Sequence, residues 1–320
     1  MQGQPAVDFK ILAGGRNWVQ VSGYVSISLA CYHGFLPKGS TVSIIAGDPG
    51  TMCMESPYRI AEGKYDIGIT TPAWYGGLAA AGMSPFTKPL PLRALAVLPH
   101  DDRLLFAVRP ETGIRSFEDI RDKKYPLKVM MPEPALRNPA TPIIDDVLRA
   151  YGFSMDDILS WGGEMLTTQR KRTRVMDGDK VVDPGFDAVF DEAVMTKRWS
   201  LLCQEHALRF LEIRPEILDS FAKRGIPTKT LAAGRLPGVE RDLKVLDFSG
   251  WLMFCREDLP DQIARDVVAS LVEQGPAISA SFNQPNAGLT GPIDPKTLCR
   301  DTHMPLHPGA EAYYRELNAL

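Results

Sequence analysis

Short apolar runs that stop abruptly at glycine, proline or charged residues recur along this chain, and between them lie stretches whose apolar positions repeat at helical spacing. Phe9 to Ala13 reads as a strand, followed by Gly14-Gly15 and a helix-like stretch from Ser22 to Tyr32. Thr41 to Ala46 is rich in β-branched residues and ends in Gly47-Asp48-Pro49-Gly50. Met54 to Glu62 reads as a helix closed by Gly63, and Ile67 to Thr71 as the next strand. That βαβαβ order predicts a parallel sheet with covering helices. Two more apolar runs, Leu92 to Leu98 and Leu104 to Val108, flank the polar Pro99-His100-Asp101-Asp102-Arg103 and are placed to carry the chain out of a first lobe.

The same style returns further on. Phe117 to Ile120 reads as a helical turn, Leu127 to Met131 as a strand, Ile143 to Tyr151 as an amphipathic helix stopped by Gly152, and Asp156 to Leu159 as another turn. Phe186 to Phe190 has the look of a buried strand and ends in Asp191-Glu192. After a mixed region with Pro215, Pro227 and Pro237, Val245 to Cys255 is strand-like and placed to cross back. Ile263 to Gln274 has the spacing of an amphipathic helix that caps the first lobe, and Ala310 to Leu320 reads as a terminal helix. A length of 320 residues exceeds what one core sustains. The expected division is therefore 1–99 with 246–320 as one lobe and 100–245 as the other. No internal sequence repeat is visible.

Composition narrows the partners. With 36 basic and 39 acidic residues the net charge is −3, so there is no field to draw in nucleic acid. The one basic cluster, Arg170-Lys171-Arg172-Thr173-Arg174, reads as a solvated helix face. Cys31, Cys53, Cys203, Cys255 and Cys299 are scattered, odd in number and free of Cys-x-x-Cys spacing, which fits reduced core residues rather than a disulfide framework or zinc site. The first residues show no basic-then-apolar leader, so the expected location is cytoplasmic as the sequence stands, or periplasmic if a leader has been removed. Nucleotide loops, dinucleotide fingerprints and a Gly-x-Ser-x-Gly elbow are missing, and the acids and histidines have no metal-ligand spacing. No cofactor and no metal are expected.

Several segments then resemble a known family, the TRAP-associated extracytoplasmic immunogenic (TAXI) solute receptors. They are Ala13-Gly14-Gly15 with Gly23 and Ala30, Ala61-Glu62-Gly63-Lys64-Tyr65-Asp66-Ile67-Gly68, Gly113-Ile114-Arg115-Ser116-Phe117-Glu118-Asp119-Ile120, Gly185 to Phe190, and His307-Pro308-Gly309-Ala310-Glu311-Ala312-Tyr313-Tyr314-Arg315-Glu316. The resemblance implies an α/β, two-lobe type II periplasmic-binding-protein-like fold with hinge-crossing segments. It also implies a small anionic or amino-acid-like ligand in the cleft and, for an exported receptor, membrane transporter subunits as partners. Arg16-Asn17-Trp18 stands where the family has a small glycine-rich stretch, and Pro57 where it usually has Asn. The fold also resembles that of some cytosolic decarboxylases and thiamine-pathway enzymes.

Strand ends are where open α/β sheets place ligands, and they supply the candidates. Arg16, Asn17 and Trp18 follow the first strand, with Arg16 as a carboxylate clamp, Asn17 as a hydrogen-bonding group and Trp18 as a wall. Asp48 and Thr51 follow the second, Thr51 either donating to a ligand or capping the next helix. Thr70, Thr71 and Trp74 follow the third, as oxyanion donors and a wall. Beyond the Leu127 strand lie Glu133, Arg137, Asn138 and Thr141, with Arg137 as a second clamp. Asp191-Glu192 has three functional readings, a metal site, a general acid or base, or recognition of an ammonium, beside a purely structural one as helix caps; adjacent strand residues point to opposite faces, so one of the two is expected to face the cleft. The expected function is binding of a small carboxylate-containing solute. The alternative is a cofactor-independent cytosolic decarboxylase or lyase of an aromatic or unsaturated carboxylic acid, with Glu133 or Asp191 as the proton donor.

Overall fold

The computed structural model of the chain describes residues 5–31, 34–46, 53–132, 134, 137–166, 176–177, 180–181, 185–195, 197–283 and 288–320. The chain divides into two units, Met1–Asp101 with Ser249–Leu320, and Asp102–Phe248.

In unit 1 the strands are β1 (Asp8–Leu12), β2 (Thr41–Ile45), β3 (Ile67–Thr70), β4 (Leu92–Leu98) and, after the chain returns, β14 (Trp251–Arg256). They lie in the order β2-β1-β3-β14-β4. β1 runs parallel to both neighbours, with Leu12 opposite Ile45 on one side and Gly68 on the other, while β14 is antiparallel to β3 and β4. The helices Arg16–Ala30 and Pro308–Glu316 both pack against Asp261–Glu273. Each buries an apolar stripe: Val21, Val25 and Leu29; Ala310 and Tyr314; Ala264, Val267, Val268 and Leu271. A buried Val or Leu contributes about 1.5–3 kcal/mol, so these stripes hold the layer on the sheet.

Unit 2 contains β5 (Arg103–Val108), β6 (Lys128–Met130), β7 (Glu164–Leu166), the short pair β8 (Met176–Asp177) and β9 (Lys180–Val181), β10 (Ala188–Asp191), β11 (Arg209–Phe210), β12 (Thr228–Leu231) and β13 (Leu243–Asp247). The main sheet runs β12-β13-β5-β10-β6-β7, with β11 beside β5. β6 is parallel to β7 and β10, and β5 is antiparallel to β10 and β13.

The two units share one plan. Each has three parallel strands in the order second, first, third, and in each the first strand made after the chain arrives from the other unit inserts antiparallel beside the third. That strand is β14 in unit 1 and β5 in unit 2. This is the α/β fold of the type II periplasmic-binding-protein class, a repeat of topology with no repeat of sequence. The stretch expected as one crossing strand, Val245 to Cys255, is two strands broken at Phe248-Ser249-Gly250. Gly250 sits at φ +86, and a Cβ there would lie 2.8 Å from the Cβ of Ala73, so only glycine fits this break. Among the described residues no helix is long and apolar enough to cross a membrane.

Candidate functional site

In unit 1 the carboxyl end of β1 leads through Ala13, Gly14 and Gly15 into the helix Arg16–Ala30. The N-cap is Gly15, which offers no side chain, and the first turn holds no acidic residue. Helix N-termini favour negative charge because unpaired N–H groups and the macrodipole both point outward there. This helix instead begins with a cation, and Arg16 is exposed with no hydrogen bond or ion pair among the described residues. Asn17, half-buried, is packed against Gly288: a Cβ on Gly288 would lie 2.5 Å from Asn17 Nδ2 and 2.7 Å from the Trp251 ring. Gly288 takes φ +101, a backbone angle costly for any other residue. Trp251 in turn stacks on His100 with ring centroids 4.7 Å apart, and His100 Nδ1 lies 2.6 Å from the Gly288 carbonyl oxygen.

In unit 2 the turn after β10, the third of its parallel strands, is built differently. Its three successive backbone N–H groups are all taken by carboxylates. Glu192 N–H donates to Asp191 Oδ1 at 2.8 Å, Ala193 N–H to Asp102 Oδ2 at 2.9 Å, and Val194 N–H to Asp102 Oδ1 at 2.8 Å. Ala193 adopts φ +67, so the chain curls and the amides converge. Converging amides of this kind form an anion-binding concavity; its occupant here is the Asp102 carboxylate, which also accepts Arg103 N–H at 2.7 Å. The Glu192 carbonyl accepts from Arg198 Nη2 at 3.1 Å and Trp199 Nε1 at 2.9 Å.

The side chains of this turn are electrostatically crowded. Asp102 and Asp191 are each 1% exposed. Arg198 Nη2 lies 2.9 Å from Asp191 Oδ2, an ion pair without a well-aligned hydrogen bond, since neither Asp191 Oδ2 nor Arg198 Nε has one. Burial pushes the Asp191 carboxyl up to about 6 even though Arg198 pulls it down. Burial also holds Glu192 well above the usual carboxyl range, reinforced by the charges of Asp102 and Asp191 and by a hydrogen bond to the Asp102 side chain, against the pull of Arg198. Asn138, on the loop after β6, donates through Nδ2 to Glu192 Oε1 at 3.2 Å and accepts the Ala140 N–H through Oδ1 at 2.8 Å. It thereby holds the first N–H of the helix Ala140–Ala150, whose N-cap position is Pro139, and reaches the β10 turn at once.

A model of the NMT1-like family matches residues 57–317 of this chain. The chain belongs to the NMT1-like family. Solved structures similar to this NMT1-like chain include PhnD1 from Prochlorococcus marinus in complex with methylphosphonate, 11% identical over 99% of this chain and 100% of that one, TM-score 0.47. MatC from Rhodopseudomonas palustris with bound malate is 14% identical over 99% and 95%, TM-score 0.42. Iron-bound HitA from Pseudomonas aeruginosa is 14% identical over 98% and 98%, TM-score 0.41. No curated protein matches the chain in sequence.

The NMT1-like chain distributes the sequence candidates unevenly. Arg16 and Asn17 stand together at a strand end of unit 1, and Asn138 and Glu192 meet at the strand ends of unit 2. Arg137 is exposed beside Asn138 at φ +55, its N–H donating to the Pro134 carbonyl at 3.0 Å. The two tryptophans are not open walls. Trp18 is 4% exposed and packs edge-on against Trp251 in the core, because it falls on the inward stripe of its helix. Trp74 is 1% exposed, on the helix Ala73–Ala81, whose residues through Ala79 are all buried. The Thr70 hydroxyl is fully buried and donates to the Cys53 carbonyl at 3.1 Å, so it is spent inside the fold rather than offered to an oxyanion. Thr71 Oγ1 donates to the Gly250 carbonyl at 3.1 Å. Cys31 is exposed rather than a core residue, while the other four cysteines are buried and all five are free. Asp48, Thr51, Glu133 and the Arg170 to Arg174 cluster lie outside the described residues. Sequence reasoning passed over Asp102, Arg198 and Trp199, which build the unit 2 turn; Asp102 had only its place between two apolar runs to mark it.

Proposed function

We propose that this chain binds a small carboxylate-containing solute as a receptor of the TAXI type, with Arg16 as the carboxylate anchor. The observation that carries the reading is the contrast between the two strand-end turns. In unit 2 the converging amides are already filled by Asp102, whereas the first turn of Arg16–Ala30 in unit 1 adds a guanidinium to the positive end of a 15-residue helix with no acid to balance it. A planar guanidinium beside helix N–H groups is suited to a carboxylate, which relieves both charges. Asn138 and Glu192 offer hydrogen-bonding groups in unit 2. Membership of the NMT1-like family and the ordered TAXI-like segments support a receptor, and that reading brings with it a membrane transporter as partner and an extracytoplasmic location.

Titration calorimetry against a panel of aliphatic and aromatic carboxylates tests it. The expected result is one saturable site, weakened about 10- to 100-fold in Arg16→Ala, as for loss of a charge-assisted hydrogen-bonded pair. Binding undiminished in Arg16→Ala, or no binding across the panel, refutes it. One observation favours the second reading, a decarboxylase or lyase: burial raises the Glu192 carboxyl well above the usual carboxyl range, the direction a proton donor to carbon needs. Release of CO2 or a lasting change in ligand absorbance during the same titrations would select that reading.

A further inference from the structure

The segment His307-Pro308-Gly309-Ala310 joins three elements of unit 1 at one imidazole. The His307 N–H donates to the Ala94 carbonyl of β4 at 2.8 Å, and the His307 carbonyl accepts the Glu311 N–H at 2.9 Å. Its side chain is the N-cap of the helix Pro308–Glu316, with Nδ1 accepting the Gly309 N–H at 3.2 Å. The helix Asp261–Glu273 starts against the same turn, so closely that a Cβ on Gly309 would collide with the Asp261 carbonyl oxygen. Asp261 Oδ1 lies 3.7 Å from His307 Nδ1, beyond hydrogen-bond reach, and the Nδ1 lone pair is spent on Gly309.

An amide N–H only donates, so the ring nitrogen that accepts it carries no proton. His307 is therefore neutral with its hydrogen on Nε2, which is buried and makes no well-aligned hydrogen bond. A proton added at Nδ1 would point at the Gly309 N–H, so the cap and the imidazolium exclude each other. We propose that His307 is an acid-released latch for the C-terminal helix: neutral, it caps Pro308–Glu316, and protonated at Nδ1 it exchanges the Gly309 N–H for the Asp261 carboxylate and frees the first turn. Asp261 is mostly exposed while the ring is 1% exposed, so the exchange draws the ring outward. Burial holds the ring below the ordinary histidine range, against the pull of the Asp261 charge. Arg93 on β4 also opposes a second cation there and is itself held by Glu257 at 3.0 Å; Glu311, in the first turn of the capped helix, is paired with Arg315. The folded ring thus binds protons less readily than the unfolded one. The latch holds fully above the ordinary histidine value of 6.5 and weakens as pH falls below it.

Hydrogen exchange of the intact chain, from about pH 7.5 to about pH 5, reads the latch. Protection at Gly309 and Glu311, corrected for the intrinsic exchange rate, is expected to fall by up to about tenfold for each pH unit below about 6.5, one proton being taken up per opening. Amides of β14, in the middle of the same sheet, are expected to keep theirs. His307→Asn supplies a capping oxygen that does not titrate, so whatever its level of protection, the dependence on pH is expected to vanish. A slope retained in His307→Asn, a wild type without slope, or an equal loss in β14 overturns the proposal. Nitrogen-15 NMR of histidine-labelled protein gives the second measurement, with the His307 signal recognised by its absence from His307→Asn. The expected ring is neutral with its proton on Nε2 at neutral pH; an imidazolium, or a proton on Nδ1, contradicts it. Neither measurement involves a solute, so failure of carboxylate binding leaves both intact.

Discussion

Replacing Asp102 by alanine removes the internal anion around which the β10 turn is wrapped. Three buried amides, those of Arg103, Ala193 and Val194, lose their acceptor together. A buried donor left unsatisfied costs about 1–3 kcal/mol. The three are neighbours in one network and do not add fully, so Asp102→Ala is expected to destabilise unit 2 by about 4 kcal/mol. A typical domain is stable by only about 5–15 kcal/mol, which puts the variant close to unfolding. Asp102→Asn retains one acceptor oxygen and is expected to cost roughly half as much. Urea unfolding followed by tryptophan fluorescence measures the loss, since Trp199 is fully buried and donates to the Glu192 carbonyl in the same turn. Hydrogen exchange at Ala193 and Val194 localises it. A cost for Asp102→Ala below about 1 kcal/mol, or exchange at those two amides unchanged from wild type, would refute the assignment of Asp102 as the turn's anchor.

Ala193→Gly relieves a left-handed backbone angle at a nearly buried position and is expected to stabilise unit 2 by about 0.5–1 kcal/mol, read as a shifted urea midpoint with unchanged slope. Gly288→Ala forces a methyl group against Asn17 and Trp251 at φ +101 and is expected to lower the stability of unit 1 by about 1–3 kcal/mol; a melting temperature equal to wild type would contradict the packing described. The acid Asp191, pushed up from its ordinary 3.8 to about 6, binds its proton more tightly folded than unfolded. Its contribution is therefore fully present below pH 3.8 and is lost as pH rises to about 6. Asp191→Asn is expected to lessen that decline in unfolding experiments at stepped pH.

Strands were legible where a short apolar run ended at a breaker, and Leu92 to Leu98 is found at the residues read from sequence. The first helix begins at Arg16, six positions before the expected Ser22, because its buried stripe includes Ser22 and Ser28, which interrupt the apolar pattern that marks an inward face. The helix Ala73–Ala81 escaped notice for the opposite reason. It is apolar nearly all round and carries Gly76 and Gly77 at its centre, so it has neither an amphipathic period nor helix-favouring residues. Those glycines are needed for contact: a Cβ on Gly76 would meet Leu252 at 2.3 Å and one on Gly77 the His303 carbonyl at 2.6 Å. At the candidate site, Asp191-Glu192 announced itself as paired acids at a strand end. Asp102, which anchors the same turn, did not, because its hydrogen bonds to the N–H groups of Ala193 and Val194 span 91 and 92 positions and leave no local pattern.

The placement of β14 between β3 and β4 has a consequence for how the protein is made. While the ribosome is still producing residues 102–248, the first four strands of unit 1 are complete but have an empty lane in their middle, which only residues 251–256 can fill. Unit 2 is a continuous segment and can finish folding during translation. The nascent sheet of unit 1 must wait, with two strand edges unpaired, until the tail emerges.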